Sequence, residues 1–237
     1  MRFFILSLSA FLSIQCFAVD YSWMSFRKQH LNPFAERAVD TTSLTLMASG
    51  VAAFYATIPN DNNIREQYRA YQKISKEDSQ TGDLVGSGAA GVLAIGAQYF
   101  FDPHADHWVQ HARALVWGAT ITTVLKYAFN RQRPGNSASR QSLPSGHTAT
   151  IFTTATSLTY AYGWKAAVLA YPVAAFVGLS RLSDDVHWAS DVMAGVFVGF
   201  IVGRASAYDT PDQTKDYGTF YPVYTESGTG LGYTYLF

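Results

Sequence analysis

KYAFNRQRPGNSASRQSLPSGHTATIFTTATSLTYAYGWKAAVLAYPVAAFVGLSRLSDDVHWASD, residues 126–191, alternates between two textures. Apolar stretches rich in Ala, Thr, Val and Ser cover 148–162 and 166–180, and short polar clusters carrying cations, histidines and carboxylates stand at their ends. Apolar runs of this length are too long for strands and predict helices. The same texture recurs outside the stretch, over 41–58, 84–101, 114–129 and 192–203. Six helices around one core therefore give an all-α six-helix bundle, and a chain of 237 residues holds one such domain.

The residues between the helices fill in the plan. Segment 60–83 mixes Arg65, Arg69, Lys73 and Lys76 with Asp61, Glu66, Glu77 and Asp78, which predicts a charged linker, a solvated helix or loop without function. Arg113 and Lys126 bracket one apolar run, and Asp191 and Arg204 bracket another, each shorter than the roughly 20 residues a bilayer span needs. That favours core helices, whereas the abundance of Gly, Ala, Ser and Thr is also how closely packed membrane helices read. A mean hydropathy of +0.02 leaves soluble and membrane-embedded forms both open. With 17 basic and 17 acidic side chains, the chain has no electrostatic footprint for nucleic acid.

Both ends of the chain differ from the middle. Residues 1–18 carry Arg2, an apolar run and Cys16-Phe17-Ala18, the pattern of a secretory signal cleaved after Ala18, with an uncleaved anchor as the alternative. Cys16 is the only cysteine, so a processed chain would hold no disulfide. The domain then covers 19–205, and 206–237 forms a tail. Alternating aromatics from Tyr217 to Phe237 around Glu226-Ser227-Gly228 predict a short C-terminal β-hairpin laid on the bundle.

Three polar clusters carry chemistry. Lys126 is followed after six residues by Arg133-Pro134; Pro144-Ser145-Gly146-His147 opens the helix at 148; Ser180-Arg181 is followed after five residues by His187 and after three more by Asp191. If consecutive helices alternate direction, all three clusters open on one end of the bundle. Lys126, Arg133 and Arg181 would then supply three fixed positive charges, and guanidinium forks match phosphate oxygens. Ser145 and Gly146 begin a helix, where backbone N–H groups and the dipole favour an anion. His187 stands one turn before Asp191, so the carboxylate can orient one ring nitrogen and leave the other to attack phosphorus. His147 would protonate the leaving alcohol and then activate water.

These clusters resemble the three-part signature of the type 2 phosphatidic acid phosphatase and vanadium haloperoxidase superfamily, and no specified position departs from it. The resemblance covers residues 126–191, a little over a quarter of the chain. It implies a helical bundle and a phosphoric ester hydrolase that needs no metal and no cofactor. It also implies the roles argued above for His187, His147 and Asp191, and for Lys126, Arg133, Ser145, Gly146 and Arg181 in holding phosphate. The expected substrate is a lipid phosphate such as phosphatidate, undecaprenyl diphosphate or lipid A, in an exported, envelope-associated protein. A nonspecific soluble periplasmic acid phosphatase is the alternative, and a vanadate-dependent haloperoxidase is disfavoured because those enzymes are much larger. Asp102, His104, Asp106, His107 and His111 form a tract that mimics a metal site but reads as a hydrated turn at the opposite end of the bundle.

Overall fold

The computed structural model describes residues 23–71, 73–102, 106–135 and 137–208, together with the backbone of 219–225 and 228–234. The proposed signal at 1–18 lies outside the described residues.

Seven helical segments, not six, make up the described chain. They are α1 (residues 23–38), α2 (Thr41–Tyr71), α3 (Lys76–Phe101), α4 (His107–Phe129), α5 (Gly146–Tyr162), α6 (Trp164–Ser183) and α7 (Ala189–Ser206). The seventh segment is α1, in a stretch whose polarity suggested no helix. It folds because Phe34 is buried and stacks on Trp117 of α4, with ring centroids 4.6 Å apart and planes within 9°. The expected linker at 60–83 is also largely helical, covering Asp61–Tyr71 and Lys76–Leu84. Its charges are not simply solvated, since several of them pair with loops of the bundle. After α7, the backbone of Thr219–Thr225 (β1) pairs antiparallel with Gly228–Thr234 (β2), Thr219 opposite Thr234. Where this pair sits against the helices lies outside the described residues.

Local signals explain the helix ends. Asp40 caps α2 by accepting from Ser43 N at 2.8 Å. The same carboxylate takes Arg204 Nη2 at 2.6 Å, which ties the α1–α2 corner to the last turn of α7. Asn130 closes α4 in the left-handed conformation with φ 44°, which short polar side chains tolerate. α3 is interrupted over Val85–Ala89, where Gly88 takes φ +108°.

α5 lies at the centre and α7 packs tightly along it. A Cβ on Gly195 would come within 2.8 Å of Ser145 O, one on Gly203 within 2.6 Å of Thr156 Cβ, and one on Gly199 would strike Phe152 Cβ. The three glycines, four residues apart, form one face of α7, and the missing side chains let the two backbones meet. Ile151, Phe152 and Ala155 of α5 and Ala174 and Val177 of α6 form the main apolar core.

The outer surface is markedly apolar. Leu93, Phe101, Val116, Trp164 and Leu169 are all exposed. Among the described residues, α2, α3, α6 and α7 are long and apolar enough to cross a membrane, at 31, 26, 20 and 18 residues. Of the two charge-bracketed runs read as too short to span, the one at 192–203 lies in α7, which is 18 residues long. In α7 the helix takes in Asp191 and Arg204, whose charges are satisfied by partners at the two ends.

Candidate active site

α4 ends, α5 begins, α6 ends and α7 begins at one end of the bundle, and the three polar clusters meet there. His147 is the second residue of α5, Arg181 lies in the last turn of α6, and His187 sits in the short connection to α7. Ser145 N donating to Asp191 O at 3.0 Å ties the start of α5 to the start of α7, and Ser142 N donating to Arg131 O at 3.0 Å pins the loop between α4 and α5.

Asp191 is fully buried and its carboxylate is heavily used. Oδ2 accepts from Ser142 Oγ at 2.5 Å and from Trp188 N at 3.0 Å, while Oδ1 accepts from Arg131 Nη1 at 2.6 Å. His187 Nδ1 stands 3.8 Å from Asp191 Oδ2, beyond hydrogen-bond reach, and is buried without a hydrogen-bond partner. The pair is thus aligned but open, and a shift of roughly 1 Å would close it. Burial, backed by the nearby positive charges of Lys126 and Arg133, holds the His187 imidazole below its ordinary pKa despite the opposing Asp191 carboxylate. At neutral pH the ring is therefore uncharged, with Nε2 available as a nucleophile.

The cations surround this ring unequally. Lys126 Nζ donates to Gln141 O at 2.7 Å. Arg133 Nε is buried with no hydrogen-bond partner. Arg181 is almost fully buried and fully engaged: Nη1 pairs closely with Asp83 Oδ1, while Nη2 reaches Ser79 O at 3.0 Å and Asp184 Oδ2 at 2.8 Å. Asp83 Oδ1 also lies 3.2 Å from His147 Nε2. Burial and the Arg181 charge lower the His147 pKa, and the Asp83 carboxylate opposes them.

The helix N-terminus differs in one respect from the sequence expectation. Ser145 is completely buried, its N–H is spent on Asp191 O and its Oγ accepts from Thr148 at 2.9 Å. Ser145 thus ties the start of α5 to α7. The amides of Gly146 and His147, in the first turn of α5, have no intrahelical acceptor and are the ones left for an anion.

Three contributors escaped the sequence reading. Arg131 bridges Asp191, Ser190 Oγ at 2.7 Å and Asp61 Oδ2 at 2.8 Å. Asp61 is itself buried and accepts from Ser190 N at 2.9 Å. Asp83 comes from α3. Asp61 and Asp83 stood in the stretch taken for a linker, and Arg131 lies inside the Lys126–Arg133 spacing, where charge near charge was the only available signal. At the other end of the bundle, His107 Nδ1 meets Asp102 Oδ2 at 2.9 Å and the buried His111 meets Gln98 Oε1 at 3.0 Å. His104 lies outside the described residues.

The family model of the PAP2 superfamily matches residues 108–215, a span that contains all three clusters. Residues 108–215 are thus similar to the PAP2 superfamily. The PAP2 match begins after Asp61 and Asp83, so neither falls within it. Lipid A 1-phosphatase of Porphyromonas gingivalis is 48% identical over 82 residues, which make up 33% of this chain and 18% of that protein. The chain thus aligns with under a fifth of that relative's length. The crystal structure of a transmembrane PAP2 type phosphatidylglycerolphosphate phosphatase from Bacillus subtilis superposes with a TM-score of 0.52 at 19% identity, covering 67% of this chain and 90% of that one. The likeness establishes the PAP2 fold for the helical bundle.

Proposed function

We propose that this protein is a membrane-associated lipid phosphatase that cleaves a phosphomonoester or diphosphate through a phosphohistidine at His187. The observation that carries the reading is the meeting, at one end of the bundle, of a buried neutral imidazole backed by Asp191 with Lys126, Arg133 and Arg181 and a helix N-terminus. The cations and the amides of Gly146 and His147 hold the phosphoryl oxygens and offset the charge that builds on them. His187 Nε2 attacks phosphorus while the P–O bond to the leaving group breaks, and His147, kept in its charged form by the phosphoryl dianion beside it, gives its proton to the departing oxygen. Asp191 stabilises the imidazolium as it forms. Water, deprotonated by His147, then attacks the phosphohistidine and releases phosphate with His187 restored.

A lipid substrate is supported by the apolar outer surface, by the four helices of span length, and by the lipid phosphatases among the similar proteins. The exposed Leu93, Phe101 and Leu169 disfavour a freely soluble phosphatase. Residues 1–18 remain a proposed export signal, which would put the site in the cell envelope.

The test is phosphate release by purified full-length protein, without added metal, from phosphatidate, undecaprenyl diphosphate, lipid A and p-nitrophenyl phosphate. Lipid turnover that disappears in His187→Ala, with acid-labile label on the wild-type protein after quenching, is the expected result. Label that survives in His187→Ala would remove the mechanism, and preference for p-nitrophenyl phosphate would remove the lipid assignment. Vanadate-dependent halide oxidation in place of hydrolysis would replace the reading with a haloperoxidase.

A further inference from the structure

Asp83 stands where the proposed chemistry has no use for a negative charge. Its Oδ1 accepts from Arg181 Nη1 and lies 3.2 Å from His147 Nε2, so one carboxylate oxygen stands against the two groups that a phosphoryl ester would need. Arg181 is almost fully buried, whereas the Asp83 side chain is 58% exposed. The cation is thus built into the fold, and its anion arrives from the rim.

The backbone around Asp83 is fixed. A Cβ on Gly82 would strike Ser180 Oγ, and one on Gly86 would come within 2.8 Å of His147 Cβ. Ser79 holds the same helix against α6, its Oγ reaching Ser180 O at 3.3 Å. The main chain of α3 therefore cannot withdraw, but the exposed carboxylate can rotate about its own side-chain bonds, which exposed residues do within nanoseconds. A phosphate dianion offers more charge and more acceptor oxygens than a carboxylate and can take the Asp83 place on Arg181 Nη1, the one donor group of this guanidinium not held by Ser79, Ser180 or Asp184.

We propose that Asp83 is a displaceable internal anion of the phosphate cradle, which yields to the substrate's phosphoryl group and returns to expel product phosphate. The inference rests on the phosphatase reading and adds to it a residue outside the matched family region. Asp184 stays on Arg181 Nη2 at 2.8 Å, so when Asp83 leaves Nη1 the buried cation is not stranded and one donor is freed for the phosphoryl group. Once the ester is cleaved, the same carboxylate competes with inorganic phosphate for Arg181 and His147. The competition weakens every tetrahedral oxyanion at the site, whatever the alcohol.

The experiment measures competitive inhibition by inorganic phosphate and by orthovanadate for full-length wild type, Asp83→Asn and Asp83→Ala, with unfolding temperature as a control. Removing a charge this close to the ligand is expected to tighten both inhibitors by about tenfold in each variant. Unchanged or weakened inhibition in folded variants overturns the proposal. So does a collapse of turnover at unchanged vanadate affinity, which would make Asp83 a partner His147 requires. If wild type hydrolyses phosphoesters and binds vanadate while the variants bind no more tightly, this inference alone fails. If wild type does neither, the phosphatase reading fails with it.

Discussion

Replacing Arg131 with Met keeps an unbranched apolar stem and removes the guanidinium, leaving two buried carboxylates facing each other across the gap. Arg131 holds Asp191 at 2.6 Å and Asp61 at 2.8 Å, with Asp191 fully buried and Asp61 nearly so. Stripping the partner from a buried charge pair costs about 3–5 kcal/mol. Arg131 keeps 25% of its side chain exposed, so solvent lowers the expected cost to about 3 kcal/mol. Turnover falls as well, because Asp191 loses one of the contacts that keep its Oδ2 turned toward His187; outer-shell partners of this kind are worth about 10–100-fold. The assay is thermal and denaturant unfolding in detergent, paired with phosphate release, for Arg131→Met, Asp61→Asn and the double variant. Since the neutral Asp61→Asn removes one of the stranded charges, the double variant is expected to be less damaged than the sum of the singles. An Arg131→Met protein within about 1 kcal/mol of wild type and with unchanged turnover would refute the bridging argument.

Three other outcomes follow from the same geometry. Asp191→Asn is expected to keep the fold and lose most activity, since an amide cannot stabilise the His187 imidazolium; equal rates for variant and wild type would contradict that role. The acid limb of the kcat/KM–pH profile is expected below about 6.5, the ordinary histidine value, because the His187 pKa is lowered and its ring loses the attacking lone pair only when pH falls through that lowered value; a limb above it would count against His187. Gly199→Ala would press a methyl against Phe152 Cβ and against Thr153 N, the latter at 2.8 Å; an unfolding free energy lower by about 1–3 kcal/mol is expected, and an unaltered melting curve would mean that α5 and α7 can separate freely.

How much of this was legible in the sequence differs from part to part. The four helix ends that meet at the site were readable because Lys126, Arg133, His147, Arg181, His187 and Asp191 stand directly beside apolar runs, where period and polarity change together. Alternating helix direction then put them on one end. What could not be read was any side chain whose partner is distant in the chain. Asp61 and Arg131 are 70 residues apart, and Asp83 and Arg181 are 98 apart. In the sequence, Asp61 and Asp83 are only two acids in a mixed-charge stretch, which ordinarily means solvent. α1 was missed for a similar reason, since its one buried anchor, Phe34, finds Trp117 only after folding. The spent amide of Ser145 was equally invisible, because a helix start advertises free N–H groups whether or not a neighbouring carbonyl has already taken one.

Gly195, Gly199 and Gly203 act on α5 as a ruler. Eight residues of helix measure about 12 Å, and along that length α7 cannot slide or rotate without driving a backbone into a backbone. The distance of His187 from the start of α5 is therefore set by main chain, not by adjustable side chains. Alteration of substrate range is accordingly expected in the outer helices, α1 to α3, at positions away from Asp61, Ser79, Gly82, Asp83 and Gly86, where sequence can change without disturbing the calibration. A variant library confined to α5 and α7 should return mostly inactive proteins, whereas one spread over the exposed apolar positions of α2 and α3 should return enzymes with altered preference and the same chemistry.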